Sequence, residues 1–210
     1  SVCAVSRDRR LVAVDGGSSI MNLSSWKKVA SIDYSAGSAE FSSDGTHIVI
    51  GDSVFFRLFE ASTGKFVSMV KAGLGSGDLS RLIFCAVPGT DELAVSFRDD
   101  IVFWRFTTGE KLREIENPSM VSEYKLAMSP DGKRFAVGGV YGGGISVFEM
   151  SDLSRSRCFS RDFGSLRSLE FNPTGEKLIV TGTKEIEVWP VRGNSGASAA
   201  GIYPVGEDQT

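Results

Sequence analysis

Histidine, proline and cysteine are all scarce in this 210-residue chain, and each scarcity closes off a class of protein. With a single histidine, His47, a Ser-His-Asp or Cys-His arrangement has one candidate, and no Gly-x-Ser-x-Gly elbow accompanies it. His47 follows an Asp-Gly turn at the start of an apolar run, so it reads as an exposed turn residue. Cys3, Cys85 and Cys158 lie far apart with no CxxC pair, a poor basis for a disulfide framework or a zinc site. They read as small hydrophobes on buried strands in a reducing compartment, which sets the expectation of a cytoplasmic protein, with the nucleus as the alternative. No apolar run approaches the ~18 residues that span a bilayer, so no membrane insertion is expected. An excess of basic charge is missing too. A net charge of −3 argues against a protein that coats nucleic acid.

Glycine and phenylalanine, by contrast, are abundant, with 24 and 14 residues against only 6 prolines. That suits short strands joined by tight turns better than a helical bundle, where an interior Gly costs about 1 kcal/mol relative to Ala.

The strands repeat. Segments 5–17, 41–53, 87–100, 128–140 and 171–183 each run from a polar turn into an apolar strand. Their first strand residues, Leu11, Ile48, Leu93, Phe135 and Leu178, are spaced 37, 45, 42 and 43 residues apart. A period near 40–45 with strand-type content is what four-stranded propeller blades give. A second alternating segment follows in each unit (19–25, 54–62, 101–109, 145–152 and 186–193), and then a thinner, more charged stretch suited to an exposed edge.

With its Ser129-Pro130-Asp131-Gly132 and Ser43-Asp44-Gly45 turns, and with Phe59, Trp104, Phe148 and Trp189 (Leu23 in the first unit) closing the third strands, the chain resembles the WD-repeat β-propellers. The resemblance covers roughly residues 3–191. It departs from the family in having no Gly-His pair and no Trp-Asp pair, so the family's Asp-His-Ser-Trp network cannot form. The fold expected is all-β, a propeller of about five four-stranded antiparallel blades over residues 1–192, divided near 1–34, 35–72, 73–117, 118–163 and 164–192. Residues 193–210 read as a flexible tail in which 202–205 supply an outer edge strand. The chain begins at Ser1, not Met, on the first strand of a unit, as part of a larger ring would. Between the blades, Phe56, Phe59, Phe103, Trp104, Val147, Phe148, Val188 and Trp189 are expected to fill the gaps.

The remaining motifs carry little chemistry. Residues 73–80 are Gly-rich, but a strand and not a helix follows, so they do not form a phosphate cradle. The pairs Asp99-Asp100 and Asp91-Glu92 are adjacent in sequence, which on a strand points them to opposite sides. Arg7, Arg9, Arg10, Arg155, Arg157 and Arg161 read as solvated turn and edge charges.

No catalytic, metal or cofactor site is expected. The resemblance implies a platform that gathers other proteins on its loops, with RNA association or attachment to a larger enzyme such as a peptidase as the alternatives. At the end that carries the second-to-third-strand and blade-to-blade connections, the candidate contact residues are Tyr34, Arg81, Arg98, Asp99, Tyr124, Tyr141, Phe163 and Lys184.

Overall fold

The polar turns are set by their own side chains. Ser6, Ser42 and Ser129 each donate a hydroxyl hydrogen to the aspartate two residues on, at 2.7, 2.6 and 2.6 Å. The same oxygens accept the backbone N–H five residues on, at 2.8, 3.0 and 2.9 Å. Asn172 takes this place in the last repeat and accepts the N–H of Lys177 at 2.8 Å. Each such turn reverses the chain through one left-handed residue: Gly45, Gly132 and Gly175, with Arg9 in the first repeat. The Ser-x-Asp-Gly pattern is therefore a hairpin tip.

The computed structural model describes residues 2–52, 54–71, 82–97, 100–116, 124–139, 144–159, 165–192, 199 and 201–204. Among them the strands form five four-stranded antiparallel sheets, each a simple meander, and the only helical turn is a three-residue 3-10 segment at Asp15–Gly17. The first sheet holds β1 (Val2–Val5), β2 (Leu11–Val14), β3 (Ser19–Asn22) and β4 (Lys28–Ser31). The second holds β5 (Ser38–Phe41), β6 (His47–Gly51), β7 (Phe55–Glu60) and β8 (Phe66–Lys71). The third holds β9 (Ile83–Val87), β10 (Glu92–Phe97), β11 (Asp100–Arg105) and β12 (Lys111–Ile115). The fourth holds β13 (Tyr124–Met128), β14 (Arg134–Gly139), β15 (Ile145–Glu149) and β16 (Arg155–Phe159). The fifth holds β17 (Leu166–Phe171), β18 (Lys177–Gly182), β19 (Glu185–Pro190) and β20 (Gly201–Pro204). Five sheets of this kind are consistent with propeller blades.

The chain divides into two compact units, Ser1–Phe97 with Ile101–Glu114, and Arg98–Asp100 with Ile115–Thr210. In the first, β1 lies beside β5 and β5 beside β9; in the second, β13 lies beside β17. First strands thus converge within each unit, while fourth strands such as β4 and β8 are largely exposed. Alternation along a strand feeds two cores at once. On β6, Ile48 and Ile50 join Ala13, Ile20 and Phe41, while Val49 between them joins Phe56, Phe84 and Leu93. In the second unit Val147, Phe159, Leu178 and Trp189 belong to one cluster.

Register corrects the reading of the first repeat. Ile48, Phe135 and Leu178 sit opposite Phe59, Phe148 and Trp189, as the repeat demands. Counted from the hairpin serine, the equivalent pair in the first sheet is Val12 opposite Met21, so Met21 and not Leu23 fills the aromatic position. Leu11 pairs with Asn22, and Leu23 falls in the following turn.

The inter-sheet residues need smaller corrections. Phe56, Phe59, Phe103, Val147, Phe148 and Trp189 are buried, but Trp104 and Val188 are only half-buried. Trp104 still meets Phe56 of the neighbouring sheet edge-on, with ring centroids 5.8 Å apart. The outer strand β16 reverses two expectations. Arg157 is buried, its guanidinium 5.0 Å from the Phe159 ring, while Cys158 between them is exposed. Period-2 alternation decides both: Phe159 must face inward, Arg157 shares its side, and Cys158 takes the other.

Candidate interaction surface

In the first unit the connection from β4 to β5 and the turn from β6 to β7 come together around three side chains. Asp52 precedes the β7 strand and folds back on it, accepting the N–H groups of Val54 and Phe55 through Oδ1, both at 2.8 Å. Its other oxygen, Oδ2, accepts the Tyr34 hydroxyl at 2.7 Å and Arg57 Nη1 at 3.3 Å. The Arg57 guanidinium lies 4.1 Å from the Tyr34 ring centroid and 5.7 Å from that of Phe55, and Tyr34 stacks on Phe59. A lone arginine within the apolar run of β7 therefore reaches back over an aromatic of the preceding connection.

Electrostatics hold the cluster in one protonation state at neutral pH. Burial raises the Tyr34 phenol, and the Asp52 carboxylate beside it adds to the effect, pushing it up to about 12. For Asp52 burial acts upward as well. The Phe55 N–H, the Tyr34 hydroxyl, the Val54 N–H and Arg57 together outweigh it and hold the carboxyl at about 2. Neither Tyr34 nor Asp52 is poised near neutrality for proton transfer; what the cluster presents is an aromatic ring covered by a guanidinium.

Of the residues proposed from sequence, Tyr34 is therefore a bound member of this cluster, half-buried. Lys184 is exposed in the short turn between β18 and β19, in the second unit. Tyr124 opens β13, paired with Gly139, and so belongs to a strand and not to a connection. Arg81, Arg98, Asp99, Tyr141 and Phe163 lie outside the described residues. Asp52 and Arg57 escaped sequence reading. The signal for Arg57 was present, one charge in a six-residue strand otherwise closed only by Glu60.

His47 sits at the start of β6, half-buried, its Nδ1 2.8 Å from Thr46 Oγ1. A second polar network lies inside the fifth sheet, where Glu187 is fully buried and accepts the Trp189 indole N–H at 2.6 Å. Among the described residues no three His, Cys, Asp or Glu side chains gather closely enough to hold a metal ion. Neither the family models nor the curated proteins compared with this chain match it.

Proposed function

We propose that this chain is a non-catalytic, cytoplasmic scaffold of the WD-repeat-like propeller type, which binds partner proteins through the connections at one end of its sheets. The observation that carries the reading is the division of labour within the repeats. Hairpin tips are locked by their own side chains, through Ser-Asp hydrogen bonds in the first, second and fourth repeats and Asn172 in the fifth, and the sheets are packed by inter-sheet aromatics, which leaves the opposite connections free to vary in sequence. The Tyr34–Asp52–Arg57 cluster supports it further, since Tyr and Arg held rigid by neighbours lose little entropy on binding.

The test is affinity capture on the purified chain from a nuclease-treated lysate, followed by reconstitution with each captured protein made separately. The scaffold reading expects at least one protein to bind directly with a defined stoichiometry. Capture that disappears with nuclease treatment, or recovery of RNA alone, would move the reading to an RNA-associated propeller.

A further inference from the structure

The outer strand of the second sheet, β8, differs from its counterparts. β4, β12 and β16 each bury at least one side chain, whereas β8 buries none along its six residues. Phe66, Val67 and Met69 are 53 %, 42 % and 51 % exposed, three of the eight large apolar side chains that lie open among the described residues. β8 ends the sheet order β5-β6-β7-β8, so alternate residues turn their N–H and C=O groups outward, away from β7.

Register fixes what a further strand would meet. Phe66, Met69 and Lys71 stand across from Phe59, Arg57 and Phe55, while Ser68 and Val70 stand across from Leu58 and Phe56. A bulge between Phe66 and Ser68 leaves Val67 unmatched. The Phe66 ring meets Phe59 edge-on at 5.9 Å, so Phe66, Met69 and Lys71 share the face of the sheet that carries Arg57. Val70 packs with Phe56 and Leu58 on the other face, and Lys65, one residue before Phe66, takes that face too. Both lysines are exposed, and neither forms an ion pair with a described residue. Glu60, whose N–H donates to the Lys65 carbonyl, uses its own carboxylate to accept the Thr63 hydroxyl. The β8 edge is therefore apolar in the middle, cationic at both ends and without an acid of its own.

A second copy of this edge is a poor match, since two would bring four lysines and no acid from β8 to one seam. The complement is a segment whose acids meet Lys71 and Lys65 and whose apolar residues meet Met69 and Phe66. Counted along an antiparallel strand that passes the bulge in one step, the acids fall at the first and sixth positions and the apolar residues at the third and fifth. We infer that β8 takes up such a segment of a partner protein, acid-x-aliphatic-x-aliphatic-acid, as a fifth strand of its sheet. The biological occupant rests on the scaffold reading, and β8 adds a contact to those made at the connections.

The test titrates the isotopically labelled 210-residue chain with acetyl-Glu-Thr-Val-Thr-Val-Glu-amide and follows backbone amide shifts by NMR. Saturable shifts centred on residues 65–71 are expected. The reversed peptide, acetyl-Glu-Val-Thr-Val-Thr-Glu-amide, has the same composition but moves its valines to the other face, and should bind at least about threefold more weakly. Glutamine in place of both glutamates should weaken binding about three- to tenfold. Lys65→Glu combined with Lys71→Glu should weaken the acidic peptide at least about tenfold and let acetyl-Lys-Thr-Val-Thr-Val-Lys-amide bind in its place. Equal binding of the reversed or glutamine peptide, shifts that map elsewhere, or no shifts up to about 10 mM peptide overturns the inference. So does a dimer of the peptide-free chain in sedimentation that Met69→Lys dissociates, because the edge then belongs to a second copy. If the acidic peptide binds while a partner complex leaves the connections unprotected, the reading of the connections falls and the edge stands; the reverse result removes the edge alone.

Discussion

Trp189 donates its indole N–H to the Glu187 carboxylate at 2.6 Å, two residues away on the same side of β19, and both side chains are buried. The sequence has no Trp-Asp pair, yet the fifth sheet still joins a tryptophan to an acid, here along one strand. Its ring also lies 4.7 Å from that of Phe159 on the neighbouring sheet. Trp189→Ala should destabilise by about 3–5 kcal/mol through the cavity between sheets. Trp189→Phe keeps most of the ring but removes one donor from a buried acid, and should cost about 1–3 kcal/mol. Urea denaturation orders the three proteins; a Phe variant as stable as the parent would show that the hydrogen bond contributes nothing net.

The hairpin glycines divide by surroundings, although their φ angles agree. Gly64 (φ 73°) has the Ser31 carbonyl where a Cβ would stand, whereas nothing lies within 4 Å of that position at Gly89 (φ 74°). Gly89→Ala should therefore cost only the left-handed backbone, about 1 kcal/mol, and Gly64→Ala roughly 3 kcal/mol because backbone must also move. Thermal melts of the two variants would settle the comparison, and equal shifts would mean that the first and second sheets are not packed as described.

How much of this was legible in advance follows the physics of each feature. Hairpin tips were readable because Ser, Asp and Gly at fixed offsets do one local job, as at Ser129, Asp131 and Gly132. Position within the first repeat was misread by one to two residues. Leu23 and Met21 are both apolar, and only pairing with Val12 decides between them. The inward turn of Arg157 and the outward turn of Cys158 were hidden for a related reason. Residue chemistry pointed one way, strand phase the other, and phase won. At the binding end, Tyr34 was legible as an aromatic on a connection, but its partners Asp52 and Arg57 come from a different sheet and no local pattern announces them.

Glu40 on β5 makes stability depend on pH. Burial pushes its carboxyl up to about 8 from an ordinary value of 4.5, even though the Ala86 N–H of β9 works against the shift. The folded state then holds a proton that the unfolded chain releases. This group's contribution is complete below about pH 4.5 and is lost as pH rises towards 8. Glu40→Gln should remove that loss and stabilise the protein at pH 8 by roughly 2–4 kcal/mol, with little effect near pH 4. Urea midpoints at the two pH values check it, and a variant equally or less stable at pH 8 would refute the burial argument.

Tyr34 should ionise well above the ordinary tyrosine value of 10. NMR of ring-labelled tyrosine across alkaline pH should show its transition near 12, and Asp52→Asn should bring it part of the way back, because burial supplies the rest of the shift. A Tyr34 transition unchanged by Asp52→Asn would mean that the 2.7 Å hydrogen bond is not kept in solution.

The central claim is that partners bind the connections at one end of the sheets, and hydrogen exchange on a reconstituted complex tests it most directly. The account predicts slowed exchange at residues 32–36, 52–55 and 183–185, around Tyr34, Asp52 and Lys184. It also predicts a loss of binding when Arg98→Glu, Tyr141→Ala and Lys184→Glu are combined, with the melting temperature within about 2 °C of the parent. Slowed exchange confined to the outer strands β4 and β8, with the triple variant binding as the parent does, would contradict it.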